Sequence, residues 1–125
     1  MKKVILGLCL FIYGQSPFSL MAQAKRNPDQ KARYYTRELM KALQLPDSLE
    51  GSIFKVNRWV SAQIDSLYAA PLENGPRKYA MRVVFQQRDS MYKQCLSKQQ
   101  YLEYDDWQRE QWEKRQVEQR KKMNE

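Results

Sequence analysis

Residues able to do chemistry are few in this chain and widely scattered. There is no histidine, and the two cysteines are Cys9, inside an apolar amino-terminal stretch, and Cys95. Without imidazole, a Ser-His-Asp triad, histidine metal ligation and a histidine-activated thiol are all excluded. The densest carboxylate group is Glu103, Asp105 and Asp106. A hard-cation site needs several oxygens converging from a loop, whereas these three sit on one helix-forming run and read as surface charge and cap interactions. Ser97 and Gln100 stand three residues apart, a spacing that suits a helix cap rather than a nucleophile and base. The sequence therefore predicts no catalytic residue, no metal site and no cofactor.

Those residues surround the stretch Leu96-Ser97-Lys98-Gln99-Gln100, which reads as a corner between two helices. Ser97 is the N-cap and Gln100 the N3 residue of a capping box, and Leu96 at N′ can staple onto Tyr101 at N4. Cys95 lies one residue before the corner. It cannot form an intramolecular disulfide once Cys9 has left; it is expected to be buried, with a free thiol or a bridge to another chain as the alternatives.

Targeting precedes the fold. Lys2 and Lys3 lead into the apolar run Val4 to Tyr13, and Ala22-Gln23-Ala24 follows a polar, proline-containing stretch. This is the pattern of a secretory signal peptide, residues 1–24, with cleavage after Ala24. An uncleaved anchor is the alternative, but Gln15, Ser16 and Pro17 interrupt the run. Leu8 before Cys9 argues against lipidation, which wants a small residue there. The expected mature chain, 25–125, keeps 20 basic residues against 14 acidic ones, is long enough for a single helical domain with a modest core, and has no integral membrane span. Its basic balance favours solubility and anionic contacts, while export and the lack of a recognised nucleic-acid module predict no nucleic-acid partner.

Four helices are predicted, over 28–44, 47–70, 76–95 and 97–122, giving an all-α fold. Asn27 as N-cap, Pro28 at N1 and Gln30 at N3 open the first, whose apolar stripe is Ala32, Tyr35, Leu39, Ala42 and Leu43, with Thr36 and Met40 at its edge. Leu45-Pro46-Asp47-Ser48-Leu49 ends it, and Asp47 is expected to cap the next helix with Glu50 at N3. In that second segment Leu49, Ile53, Val56, Val60, Ile64 and Leu67 recur at steps of three and four, with Phe54, Trp59 and Tyr68 widening the face. Asn57 lies beside this arc, where an edge position is expected and a buried hydrogen bond is the alternative. Two prolines and Asn74-Gly75 place a surface turn over Ala70 to Pro76. Rods of about 36 Å and about 30 Å on either side, at 1.5 Å per residue, make an antiparallel hairpin.

The third segment collects Met81, Val84, Phe85, Met91, Tyr92 and Cys95, with Arg88 laying its aliphatic stem over the core. The fourth is aromatic through Tyr101, Leu102, Tyr104, Trp107 and Trp112. It then becomes charged, with Asp105 to Arg109, Glu110 to Lys114 and Glu118 to Lys122 spaced for helical ion pairs. Residues 113–125 are thus expected to be a solvated helix end or tail. Trp107 and Trp112 are the candidate partner anchors. A shallow core also makes self-association a ready way to bury a second apolar face, so a homodimer is expected.

With Leu96, Ser97 and Gln100 placed between an amphipathic and an aromatic helix, the chain resembles the extracytoplasmic Spy/CpxP superfamily, the LTXXQ-motif family. Ser97 stands for the motif threonine, and Arg88-Asp89-Ser90-Met91-Tyr92-Lys93 resembles the run that commonly precedes the motif. A second, degraded copy falls at Leu45-Pro46-Asp47-Ser48-Leu49, where Pro46 replaces threonine and Leu49 replaces glutamine. The resemblance spans Lys31 to Trp112. It implies a bent antiparallel helical hairpin with flanking helices, usually paired as a cradle-shaped dimer. It also implies periplasmic stress protection, by ATP-independent chaperoning or by contact with an envelope sensor. On this reading the partners are unfolded or exposed protein segments, or one envelope sensor protein. Met40, Met81, Met91 and the tyrosines would be adaptable contacts, and a structural envelope role on the same scaffold is the third alternative.

Overall fold

The computed structural model describes residues 27–125; the signal peptide expected over 1–24, Cys9 included, lies outside them. Asn27 opens the first helix, α1 (Pro28–Leu43), with a reciprocal capping box: Asn27 Oδ1 accepts from the Gln30 amide at 2.8 Å, and Gln30 Oε1 accepts from the Asn27 amide at 3.2 Å. Two orphan donors are thereby satisfied, and Pro28 at N1 lacks a third. The helix ends because Gln44 turns left-handed at φ 51°. The Leu45 amide then reaches back to the Met40 carbonyl at 3.0 Å. This is the six-to-one bond of a Schellman ending, made here without the usual glycine, and it points Leu45 into the core.

The first corner differs from expectation. Asp47 does not cap α2 (Glu50–Ala69); it lies in a short 3₁₀ turn, Asp47–Leu49, that follows Pro46. The Leu49 amide bonds to the Pro46 carbonyl at 3.0 Å and the Glu50 amide to that of Asp47. Backbone carbonyls have taken the donors that the Asp47 carboxylate would have met, so a side-chain cap has little left to satisfy. The third helix, α3 (Asn74–Cys95), also starts two residues earlier than predicted. Pro76 is its third residue, where an amide would have no helical partner anyway, and the Arg77 amide closes the first turn on the Glu73 carbonyl at 3.0 Å. The Arg77 guanidinium donates to the Leu67 and Ala70 carbonyls at 3.3 and 3.4 Å, covering the C-terminus of α2 with a cation.

Leu96 leaves the helical region, and α4 (Lys98–Met123) begins behind a second complete capping box. Ser97 Oγ accepts from the Gln100 amide at 3.1 Å, and Gln100 Oε1 accepts from the Ser97 amide at 2.9 Å. Among the described residues there are four α-helices and no strand, and no helix is long and apolar enough to cross a membrane.

Helices α1, α2 and α3 run antiparallel to one another in turn. Lys31 near the start of α1 pairs with Asp65 near the end of α2 at 2.5 Å, and Asp29 pairs with Arg58. These half-exposed pairs select register more than they add stability. Both corners therefore lie at one end of the bundle, and the Ala70 to Glu73 loop lies at the other. The continuous core is Leu39, Leu45, Ile53, Val56, Val60, Val84, Tyr92, Leu96 and Tyr104, densest at the corner end. The α1 stripe is rotated from the expected one. Ala32, Thr36 and Leu39 are buried, whereas Ala42 is exposed and Tyr35 is 55% exposed. Thr36 wins the inward position because a partner inside can bond its hydroxyl.

Candidate functional site

That partner is Asn57. Expected at the edge of α2, it is instead buried between three helices. Its amide nitrogen donates to Thr36 Oγ1 on α1 at 3.0 Å, and its carbonyl oxygen accepts from the Tyr92 hydroxyl on α3 at 2.5 Å. One side chain thus joins three helices with donor matched to acceptor at each bond. Buried polar groups are costly unless paired, so the arrangement disfavours any slip of one helix past another.

From Tyr92 the contacts continue to the second corner. Its ring meets Tyr104 of α4 at a centroid distance of 4.6 Å, tilted by 49°, and Tyr101 lies 5.7 Å beyond Tyr104. The Tyr104 hydroxyl donates to Asp89 at 2.8 Å, and Asp89 is paired with Arg88 at 3.0 Å. Arg88 rests over the rings of Phe85 at 4.8 Å and Tyr104 at 5.9 Å. Arg88 is half-buried, and its charge is spent on Asp89 and two aromatic faces. Leu96 is buried and Tyr101 half-buried, both packed in this cluster, so the staple residues of the second corner are anchored beside the first. At that first corner Leu45 is buried, Leu49 packs against the core, and Pro46 and Asp47 are exposed.

The other sequence-predicted residues separate by environment. Cys95 is half-buried, with its Sγ 3.8 Å from the Tyr92 carbonyl. Desolvation raises the thiol above its ordinary pKa, which lowers its thiolate fraction and its reactivity. Trp107 packs against the core, whereas Trp112 is 57% exposed. Met40 and Met91 also pack on the core, and Met81 lines an open groove with Lys78, Arg82 and Phe85. Asp105 and Asp106 both pair with Arg109, and Glu103 accepts from Gln99 at 3.3 Å. They are surface charges held by neighbours on their own helix, and no group of three or more acid, cysteine or histidine side chains that could hold a metal occurs among the described residues.

Sequence reasoning placed Thr36 and Asn57 at the edges of their stripes, with a buried hydrogen bond only the alternative for Asn57, and missed Ser61 as an interior residue. A signal was present for Asn57, since 53, 56, 57, 60 and 64 share one helical face. Its meaning required Thr36 and Tyr92, which other helices bring. No protein-family profile, curated protein or solved structure matches the chain.

Burial pushes the phenols of Tyr92 and Tyr104 well above the ordinary value of 10. Both are protonated in either state below pH 10, where their contribution to stability is complete. Above it the unfolded chain loses phenolic protons that the folded chain keeps, so stability falls as pH rises. Each group should contribute a slope on the order of 1 kcal/mol per pH unit. Urea unfolding between neutral and strongly alkaline pH is expected to show this decline, and Tyr92→Phe to flatten it.

Proposed function

We propose that this chain is an exported, non-enzymatic protein that holds exposed segments of other proteins, an ATP-independent periplasmic chaperone or stress adaptor. The observation that carries this reading is the loop end of the hairpin. Tyr68 at the end of α2 is 64% exposed, Tyr79 at the start of α3 is 66% exposed, and Leu72 between them is also exposed. Single exposed aromatics are ordinary, but several large apolar side chains around one tip form a surface able to cover hydrophobes on another chain. Arg77, 5.7 Å from the Tyr68 ring, and Lys78 surround that surface with positive charge, which keeps a bound complex wet. A rigid corner end and an apolar tip suit passive holding. The basic signal segment and the resemblance of Leu96 to Gln100 to the LTXXQ corner support the envelope setting. The test is suppression of client aggregation in the absence of nucleotide, read by light scattering.

A further inference from the structure

Asn74-Gly75, which the sequence marks as a surface turn, lies inside the first turn of α3, and both residues are exposed. An asparagine before glycine is chemically labile wherever the glycine nitrogen can reach the side-chain carbonyl carbon, because no Cβ hinders closure of a five-membered ring. Here that nitrogen is available. Gly75 is at the second helical position, where an amide has no partner in the helix, and no oxygen among the described residues accepts from it. Nothing lies within 4 Å of a Cβ built on Gly75, so the ring has room. Glu73, the N-cap, makes no side-chain cap bond, and Pro76 has no amide. The first turn is therefore closed by the Arg77 amide on the Glu73 carbonyl at 3.0 Å. Rotating Asn74 about its Cα–C bond swings Glu73 and the loop rather than the helix. It breaks that bond and the long contact from the Arg77 guanidinium to Asn74 Oδ1 at 3.3 Å, which is the ordinary fraying of an exposed helix end.

The other asparagines lack this combination. Asn27 precedes Pro28, which has no N–H to lose. Asn57 is buried, with both ends of its amide hydrogen-bonded. Asn124 precedes Glu125, whose side chain crowds the ring and whose amide donates to the Lys122 carbonyl at 3.3 Å.

We propose that Asn74 is a self-modifying site that converts in the folded protein to aspartate and isoaspartate, with water as the co-reactant. The Gly75 nitrogen attacks Asn74 Cγ; the new C–N bond forms, the Cγ–Nδ2 bond breaks, and ammonia leaves with the Gly75 amide proton. Water then opens the cyclic imide. Attack at the side-chain carbonyl gives aspartate, attack at the main-chain carbonyl gives isoaspartate, and the ammonia takes the proton that the new carboxylic acid releases. One neutral amide has become one carboxylate. The first turn of α3 holds no acid, so the new charge meets the positive end of the helix and the Arg77 guanidinium. It also lowers the positive charge around Tyr68, Leu72 and Tyr79, which bears on the proposed holding surface; the conversion itself does not depend on that role.

The test is to incubate the purified, folded protein in mildly alkaline buffer and to follow its asparagine-containing peptides by mass spectrometry. The mass gain of an amide-to-acid exchange is expected at Asn74 at least several-fold faster than at Asn27, Asn57 or Asn124. Gly75→Ala should slow it several-fold with helical circular dichroism unchanged, and Asn74→Gln should abolish it. Retention of the Asn74 amide in the folded protein over a time in which the urea-unfolded chain converts would overturn the proposal, as would an undiminished rate in Gly75→Ala.

Discussion

Replacing Tyr104 with alanine is expected to lower the free energy of unfolding by about 3–5 kcal/mol. Tyr104 is 1% exposed and is the buried residue of α4. Its ring fills the space beside Tyr92, and its hydroxyl donates to Asp89. Truncation removes the transfer energy of an aromatic side chain and leaves a cavity that Tyr101 and Trp107 can only partly close. Tyr104→Phe keeps the ring and gives up the hydroxyl's bond to Asp89 and the longer one it accepts from Gln108 at 3.4 Å, so it should cost about 1–2 kcal/mol. The difference between these variants separates packing from polarity. Small domains are stable by roughly 5–15 kcal/mol, so the alanine variant sacrifices a large share of the total. Urea unfolding followed by helical circular dichroism measures it. Because α4 is anchored at its beginning, the same variant should lose helical signal before the main transition as that helix detaches.

Asn57→Ala should be the second large effect, a loss of about 2–4 kcal/mol. The substitution takes away two hydrogen bonds at once and strands the Thr36 and Tyr92 hydroxyls in the interior. Its size depends on those stranded groups rather than on Asn57 itself. Removing all three polar ends together, as Asn57→Leu with Thr36→Val and Tyr92→Phe, should therefore recover stability to within about 1 kcal/mol of wild type. Asn57→Leu alone should remain strongly destabilised. A thermodynamic cycle over the three positions is expected to show a favourable coupling of about 1–3 kcal/mol between Asn57 and its partners. Near-additive losses would mean that the three side chains do not act as one unit.

Features legible in the sequence share a short range. Asn27 with Gln30, and Ser97 with Gln100, satisfy backbone donors within four residues, so nothing distant can override them. The α2 stripe from Ile53 to Leu67 is likewise local, because its apolar spacing matches one face of a helix. Tertiary choices were hidden. Tyr35 looks like the better core residue than Thr36, yet Thr36 is buried because Asn57 waits opposite it. Asn57 in turn is tolerated inside only because Tyr92, 35 residues further on, supplies a hydroxyl. The first corner was misread for a related reason: Asp47 has cap chemistry, but the backbone after Pro46 closes a tighter turn and leaves the carboxylate no donor to capture.

The proposed holding surface was legible in composition and not in position. Methionines and aromatics suggested adaptable contacts, but Met40, Met91 and Trp107 are engaged with the core. Tyr68, Leu72 and Tyr79 are displayed instead, because the chain reverses between them and, among the described residues, no further helix covers the loop end.

The most direct measurement of passive holding is light scattering from an unfolding client mixed with several-fold excess of the protein and no nucleotide. The wild type is expected to suppress scattering, and Y68S/Y79S to suppress it markedly less while unfolding at the same urea concentration. Undiminished scattering with the wild type at every ratio would contradict a chaperone role for this chain.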